Sequence, residues 1–235
     1  MAPLRATAAI RLTGGRGRRD MRALCGATAA LPSRQEVPQM HRRQVMAAAA
    51  ALVVSSLAVP GAALAVEVGG ATLPDTATVG GQELVLNGAG VRTRVFFKVY
   101  AMGLYLPKKV GSTAEVLASP GARRVTLHLL RKLTGEDFAK AFTEGLNNNT
   151  GEAERQRLQA QIQAFVGTFS RQGDLKEGEV IHMDWVPGTG LVATRGGQPV
   201  GTPINEPAFY NAVLRIWLGD KPADDALKPL LLGKS

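Results

Sequence analysis

The chain from residue 66 onward alternates between two periods, reading as strands, then helices, then strands, then helices. Residues 66–68 and 83–87 read as short strands set between the glycine pairs Gly69-Gly70 and Gly80-Gly81, which punctuate turns. The run at 95–106, VFFKVYAMGLYL, is the longest strand signal, rich in aromatic and branched side chains and stopped by Pro107. Val125, Leu127 and Leu129 then alternate with Thr126 and His128, as a half-buried strand requires. At Thr134 the period changes. Thr134 with Asp137 gives a helix-start cap pattern, Phe138, Phe142 and Leu146 recur every four residues, and Asn147-Asn148-Asn149 ends the helix. A second helix opens at Thr150, Glu152 and Glu154 and carries Leu158, Ile162, Phe165, Val166 and Phe169 on one stripe.

Alternation returns with Ile181, Met183 and Trp185 on one face and His182 and Asp184 on the other. Pro187-Gly188-Thr189-Gly190 turns the chain into a strand at 191–195, and Gly196-Gly197 turns it into another at 199–204. Asn205 is expected to cap a helix through Phe209, Val213, Leu214 and Trp217 that closes at Gly219, and a last amphipathic segment carries Leu227, Leu230 and Leu231. Hairpin-linked strands with segregated helices predict an α+β domain, an antiparallel β-sheet with helices layered on one face.

Charge changes the picture less than its total suggests. The 235 residues hold 28 Lys+Arg against 19 Asp+Glu, a net +9. Residues 1–65 hold nine Arg against only Asp20 and Glu36, so +7 lies there and +2 in the remainder. A phosphate-binding surface needs a dense basic stripe, which residues 66–235 lack, so no nucleic-acid partner is expected.

The leader reads as a targeting signal. His41-Arg42-Arg43 is a short positive region, no residue from 44 to 66 is charged, Pro60-Gly61 breaks the apolar run, and Ala63-Leu64-Ala65 supplies small residues for cleavage after Ala65. The expected organisation is a disordered extension or mis-assigned start at 1–39, a cleavable signal peptide at 40–65 and one domain at 66–235. That predicts a periplasmic or secreted protein with no stable membrane span after cleavage. Arg42-Arg43 suits either a twin-arginine or a general secretory signal.

Candidate chemistry is sparse. Cys25 is the only cysteine and the three histidines, His41, His128 and His182, are unclustered, so neither a thiol nucleophile nor a metal site is expected. There is no nucleophile elbow and no phosphate loop, and Asn87-Gly88-Ala89-Gly90 leads into a strand rather than a helix. His182 and Asp184, and the doublets Arg123-Arg124 and Arg131-Lys132, read as solvated strand faces and ends. Asp224-Asp225 reads as a helix-start charge pair. No cofactor is expected.

One segment adds more. Gly88, Gly90 and Arg92 followed by Ala101–Leu106 resemble the GxGxR turn and A-x-G-x-Y-L strand end of the chalcone isomerase-like superfamily. The resemblance continues through Leu133-Thr134-Gly135, Val186-Pro187-Gly188-Thr189-Gly190 and the run 216–222, IWLGDKP, and is strongest toward the family's bacterial exported branch. It implies an open-faced sandwich with a ligand cleft between sheet and helices. It also implies an arginine in that cleft, and Arg92 takes that place. Beyond it the likeness to the cyclising enzymes fails: Tyr100 stands where they have threonine, Phe138 where they have tyrosine, Gly145 where they have asparagine and Ile216 where they have a hydroxyl residue.

The family's non-enzymatic members bind fatty acids with an arginine and a tyrosine on the carboxylate. By that resemblance Arg92 and Tyr100 would hold a small hydrophobic or amphipathic anion, with Arg94 as the fallback. Phe96, Met102, Phe138, Phe142 and Trp217 would line the acyl channel, although each also reads as ordinary core. On one straight strand Arg92 and Tyr100 would stand roughly 26 Å apart, so the pairing requires the chain to reverse between Thr93 and Phe97. An intramolecular lyase acting on an enone-like substrate and a structural or interaction domain are the alternative readings.

Overall fold

The computed structural model describes residues 64–234. The extension at 1–39 and most of the signal sequence read at 40–65 lie outside the described residues. No helix among the described residues is long and apolar enough to cross a membrane.

The predicted α+β architecture is observed. A small hairpin, β1 (Ala65–Val68) with β2 (Ala71–Pro74), stands apart from a seven-stranded antiparallel sheet. The sheet runs in chain order through β3 (Thr76–Val79), β4 (Gln82–Arg94), β5 (Phe97–Leu106), β6 (Arg123–Leu129), β7 (Val180–Val186), β8 (Gly190–Arg195) and β9 (Gln198–Ile204). Because every strand pairs with its neighbour in sequence, the connections are hairpins wherever no helix intervenes. Helices α1 (Thr113–Ala118), α2 (Gly135–Asn149), α3 (Glu152–Arg157) and α4 (Gln159–Arg171) fall between the middle strands; α5 (Pro207–Leu218) and α6 (Leu227–Leu231) close the chain.

The core sits between the sheet and α2, α4 and α5. Tyr100, Met102, Leu104 and Leu106 of β5 share it with Val125, Leu127 and Leu129 of β6 and Ile181, Met183 and Trp185 of β7. Against them α5 buries Phe209, Tyr210, Val213, Ile216 and Trp217. Five phenylalanines bind the helices to one another: Phe138 lies 4.8 Å from Phe169, Phe142 lies 4.8 Å from Phe165, and Phe165 lies 5.8 Å from Phe209 on α5. Contacts of this kind are the preferred offset and tilted geometries of aromatic pairs.

One irregularity in β4 decides which residues reach that core. Leu86 pairs with Tyr105 and Gly88 pairs with Leu104, so Asn87 is an extra residue, a β-bulge. Before it, Leu84 and Leu86 face the opposite side of the sheet and pack with Val79, Tyr105 and Ala122. After it the phase is reversed, and Gly88, Gly90 and Arg92 face the helices. The bulge is pinned by its own side chain: Asn87 Nδ2 donates to the Leu231 carbonyl at 2.7 Å, and Oδ1 accepts from the Val110 amide at 2.7 Å. Asn87 is 4% exposed, so both bonds are buried. The glycines that follow let α6 lie directly on the strand. A methyl at Gly88 would overlap the Leu230 and Leu231 carbonyl oxygens, and one at Gly90 would stand 2.7 Å from Leu227 and 2.8 Å from Leu230.

Several expectations need correction. The second helix is two, broken at Leu158, whose backbone leaves the helical region (φ −96°, ψ 6°). The α5 cap is Glu206 rather than Asn205, its carboxylate accepting from the Ala208 amide. His182 and Asp184 are not a solvated face: Asp184 is buried in a two-bonded pair with Arg124 at 2.7 and 2.6 Å, and His182 Nδ1 sits 3.0 Å from the Thr126 hydroxyl. Arg123 is buried too, its guanidinium 4.9 Å over the Tyr210 ring and bonded to Asn211. Asp224, as expected, serves a helix start, accepting from the Ala226 and Leu227 amides.

Gly88→Ala tests the packing role of the glycine motif. The added methyl meets backbone atoms that cannot rotate away, so the urea midpoint is expected to fall by about 3 kcal/mol of stability at unchanged slope. Gly111→Ala, where nothing lies within 4 Å of the added carbon, should stay within about 0.5 kcal/mol of the parent.

Candidate functional site

The chain reverses where the pairing of Arg92 and Tyr100 demands it. β4 ends at Arg94, β5 begins at Phe97, and Val95-Phe96 make the turn, so Arg92 and Tyr100 are direct cross-strand partners. A second bulge falls between them and the tip: Arg92 pairs with Tyr100 but Thr93 pairs with Lys98, leaving Val99 as the extra residue. That bulge turns Val99 to the same side as Tyr100, and both are buried. Arg94 and Phe97 are partners on that face as well.

Between this end of the sheet and the helices lies a cavity of about 310 Å³. The hairpin contributes Arg92, Arg94, Val95, Phe97, Val99 and Tyr100. Leu127 comes from β6, and Arg131 and Leu133 from the segment that follows it. Helix α2 supplies Asp137, Phe138, Ala141 and Phe142, α5 supplies Ile216 and Trp217, and Ala223 closes one side. The interior is apolar, and the charged groups are three arginines against one aspartate. Asp137 is held by the helix cap, its amide donating to Thr134 Oγ1 and its carboxylate accepting from the same hydroxyl. Arg131 lies 5.1 Å over the Phe97 ring at the rim.

Two donors inside the cavity have capacity to spare. Arg92 Nε is buried and has no hydrogen-bond partner among the described residues. Its guanidinium stands 5.7 Å from the centre of the Tyr100 ring, and it belongs to none of the ion pairs found there. A buried guanidinium nitrogen left unpaired is unfavourable, and such atoms mark places where a partner is missing. Tyr100 is the second donor. Its oxygen accepts from Trp217 Nε1 at 2.7 Å, a buried bond that fixes the ring. Because indole can only donate, the phenolic proton is left to point elsewhere. Burial pushes the Tyr100 pKa up to about 12, against the opposing pull of Arg92 and the Trp217 bond, so the hydroxyl keeps its proton at neutral pH. The cavity therefore offers a fixed positive charge and a neutral O–H donor side by side over an apolar interior. That combination can hold an anion with an apolar tail.

The other expected residues divide. Phe138, Phe142 and Trp217 line the cavity as well as the core. Arg94 lies on the rim, exposed. Phe96 does not line it: at the tip of the turn it is 90% exposed. Met102 is not in the wall either, being packed in the core one pair of positions deeper than Tyr100. Arg131, Val99 and Leu127 were not foreseen as lining residues. Arg131 arrives through the β5–β6 pairing, and Val99 through a bulge that the strand pattern does not announce. Asp137 was read only as a helix-start charge.

Two of the positions that separate this chain from the cyclising enzymes, Gly145 and Ile216, meet one another. A side chain carbon at Gly145 would stand 2.6 Å from Ile216 Cγ2, so the isoleucine fills the volume that a larger residue on α2 would need.

Residues 65–233 match the family described as chalcone isomerase-like, and the chain belongs to that family. No curated protein sequence matches it. Among solved structures it is similar to the crystal structure of a fatty-acid binding protein of Arabidopsis thaliana, 17% identical, with a TM-score of 0.56 over 70% of this chain and 93% of that one. At that identity the likeness is one of fold.

Gly145→Asn should therefore destabilise by about 2–3 kcal/mol in chemical denaturation. Combined with Ile216→Ala, which vacates the space, the total loss should be smaller than the sum of the two single losses by about 1 kcal/mol.

Proposed function

We propose that this chalcone isomerase-like chain is an exported, non-catalytic binder of a fatty acid or a similar amphipathic anion, whose carboxylate is taken by Arg92 and Tyr100. The observation that carries the reading is a pair of donors in one apolar cavity with no acceptor among the described residues, Arg92 Nε and the Tyr100 hydroxyl proton. A carboxylate accepts from both: guanidinium presents a planar, permanently charged fork, and the phenol adds a neutral bond. The interior from Val99 and Leu127 to Phe138 and Phe142 suits an alkyl chain, and a volume of about 310 Å³ is at the lower end of small-molecule sites. That the structural neighbour is a fatty-acid binding protein supports the same choice. The leader supports export, since its charge step, apolar run and small-residue end fit a cleavable signal.

The lyase reading draws less support from the same cavity. Arg92 could hold a developing enolate or phenolate, but Phe138, Gly145 and Ile216 provide no hydroxyl or amide to orient it. One lost oxyanion donor alone typically removes about 3–4 kcal/mol of transition-state stabilisation.

Native mass spectrometry of the purified protein, with solvent extraction of what accompanies it, is the direct test. An acyl chain is expected with the parent and absent from Arg92→Ala. An empty parent that also ignores added fatty acid would overturn the reading. Tyr100→Phe should weaken binding less, by about 1 kcal/mol, since it removes one neutral bond.

The pH profile follows from which groups titrate. Below about pH 5 the free acid protonates and loses its attraction for Arg92, so affinity should fall there. On the alkaline side Tyr100 stays a donor until pH approaches about 12, so binding measured by calorimetry should be level from pH 6 to 10. A decline beginning at pH 9 would mean that the phenol ionises at its ordinary value and is not the buried donor described.

A further inference from the structure

The cavity opens beside a feature that ligand binding alone leaves unexplained. Six large apolar side chains are exposed among the described residues, and three of them are consecutive at the β4–β5 tip: Val95 at 78%, Phe96 at 90% and Phe97 at 61%. The turn that presents them is strained. Val95 has φ 59°, the left-handed region that β-branched residues avoid, and it is the only non-glycine residue with positive φ among the described residues. Two-residue hairpin turns ordinarily place Gly, Asn or Asp where φ is positive. Here the chain sets two apolar side chains in water on a backbone that disfavours one of them. Strain of this kind persists where something outside local preference holds it, and it collects at functional sites.

Around the tip basic charge predominates, the one carboxylate bonded to the hairpin there being Asp224, which accepts from the Thr93 amide at 2.9 Å. Arg94 and Lys98 flank it on the hairpin, Arg131 stacks on Phe97, and Arg92 lies behind. From Leu84 to Ala114 the chain has no acidic residue; Asp137, tied to Thr134, is the carboxylate on the cavity wall. We propose that this hairpin tip docks on an anionic lipid surface, with Val95 and Phe96 entering the acyl boundary and the basic collar meeting the headgroups. Apolar wedges ringed by lysine and arginine bind membranes in this way, area and charge adding together. The shape favours lipid over protein: a narrow convex tip cannot supply the roughly 800 Å² per partner of a stable protein interface. Tip-to-tip pairing of two copies would set the arginine collars against each other. Docking would place the cavity mouth on the bilayer, so that an acyl chain enters or leaves without crossing water. That last step rests on the acyl-binding reading; the docking does not.

The test uses the full chain with Cys25→Ser and one environment-sensitive fluorophore, attached at Val95→Cys or at Thr189→Cys in the turn at the opposite end of the sheet. Vesicles of phosphatidylcholine containing about one-third phosphatidylglycerol carry the anionic surface. The label at 95 is expected to shift to the blue and to be quenched by spin-labelled lipid, and the label at 189 is not. Adding Phe96→Ser should raise the vesicle concentration for half-shift about tenfold. A label at 95 that stays in water, or a lipid response equal at both positions, overturns the proposal, the second because residues other than the tip would then carry the contact. A shift that needs no vesicles and grows with protein concentration assigns the tip to a second copy and overturns it equally. No fatty acid is added, so a tip that ignores lipid and a cavity that ignores acyl chains are separate results.

Discussion

One inserted residue governs the layout of this domain. Side chains on a strand alternate with period two, so a strand that faces the outer layer at Leu84 and Leu86 would keep Arg92 there as well. The Asn87 bulge shifts the phase by one. After it the even-numbered positions turn toward the helices: the two glycines that receive α6, then Arg92, then Arg94. The bulge is held by its own amide, which bonds the end of α6 on one side and the chain after β5 on the other. The helix that needs the glycines is thus also the helix that fixes the bulge. Register, terminal packing and the aim of the cavity arginine are a single arrangement and would be lost together.

A second constraint operates on the tyrosine opposite. A buried phenol normally spends its proton on the nearest carbonyl, and Tyr210 does so, donating to the Met183 carbonyl at 3.3 Å. Tyr100 differs: its oxygen accepts from an indole, and its proton has no acceptor among the described residues. The indole takes one lone pair and leaves the O–H donor free, beside an arginine that has nothing to accept with. Two donors meeting with no acceptor between them is unfavourable for the empty fold, and it is the arrangement that an anion relieves.

Much of this was legible in the sequence, and the limits have physical causes. Because a layered fold buries one face of each element, hydrophobic period located β6, β7, the helices other than α1, and β5 apart from the first two positions of its predicted run, Val95 and Phe96, which form the turn. The glycine-rich segment was recognisable as non-phosphate-binding from its lead into a strand, but its purpose was not, since the carbonyls that crowd Gly88 lie some 140 positions later. Bulges escaped for the same reason: Asn87 and Val99 interrupt no polarity pattern and are visible only against a partner strand. Charged residues were misjudged where a partner lay on the next strand. Arg124 and Asp184 are 60 positions apart, and neither alone signals burial. Phe96 was placed in the channel because an aromatic in an apolar run reads as core; the turn at Val95 puts it in water instead.

The treatment of the two ends of the hairpin shows how the chain divides stability from use. Near Asn87 the side-chain amide is matched at both its nitrogen and its oxygen, and Gly88 and Gly90 leave no room for a side chain. Near Val95 the reverse holds: a branched residue in a left-handed turn, aromatics in solvent, and Arg92, Arg94 and Arg131 in none of the ion pairs among the described residues. Natural cores remove such features wherever nothing requires them, because each is locally unfavourable and replacements such as Gly or Asn in the turn are simple. They are concentrated within a few residues of the cavity and scarcely elsewhere in β4 and β5. A strand pair rigid at one end can carry that cost at the other without losing register, which is the condition for presenting a charged, partly unsatisfied site on a stable sheet.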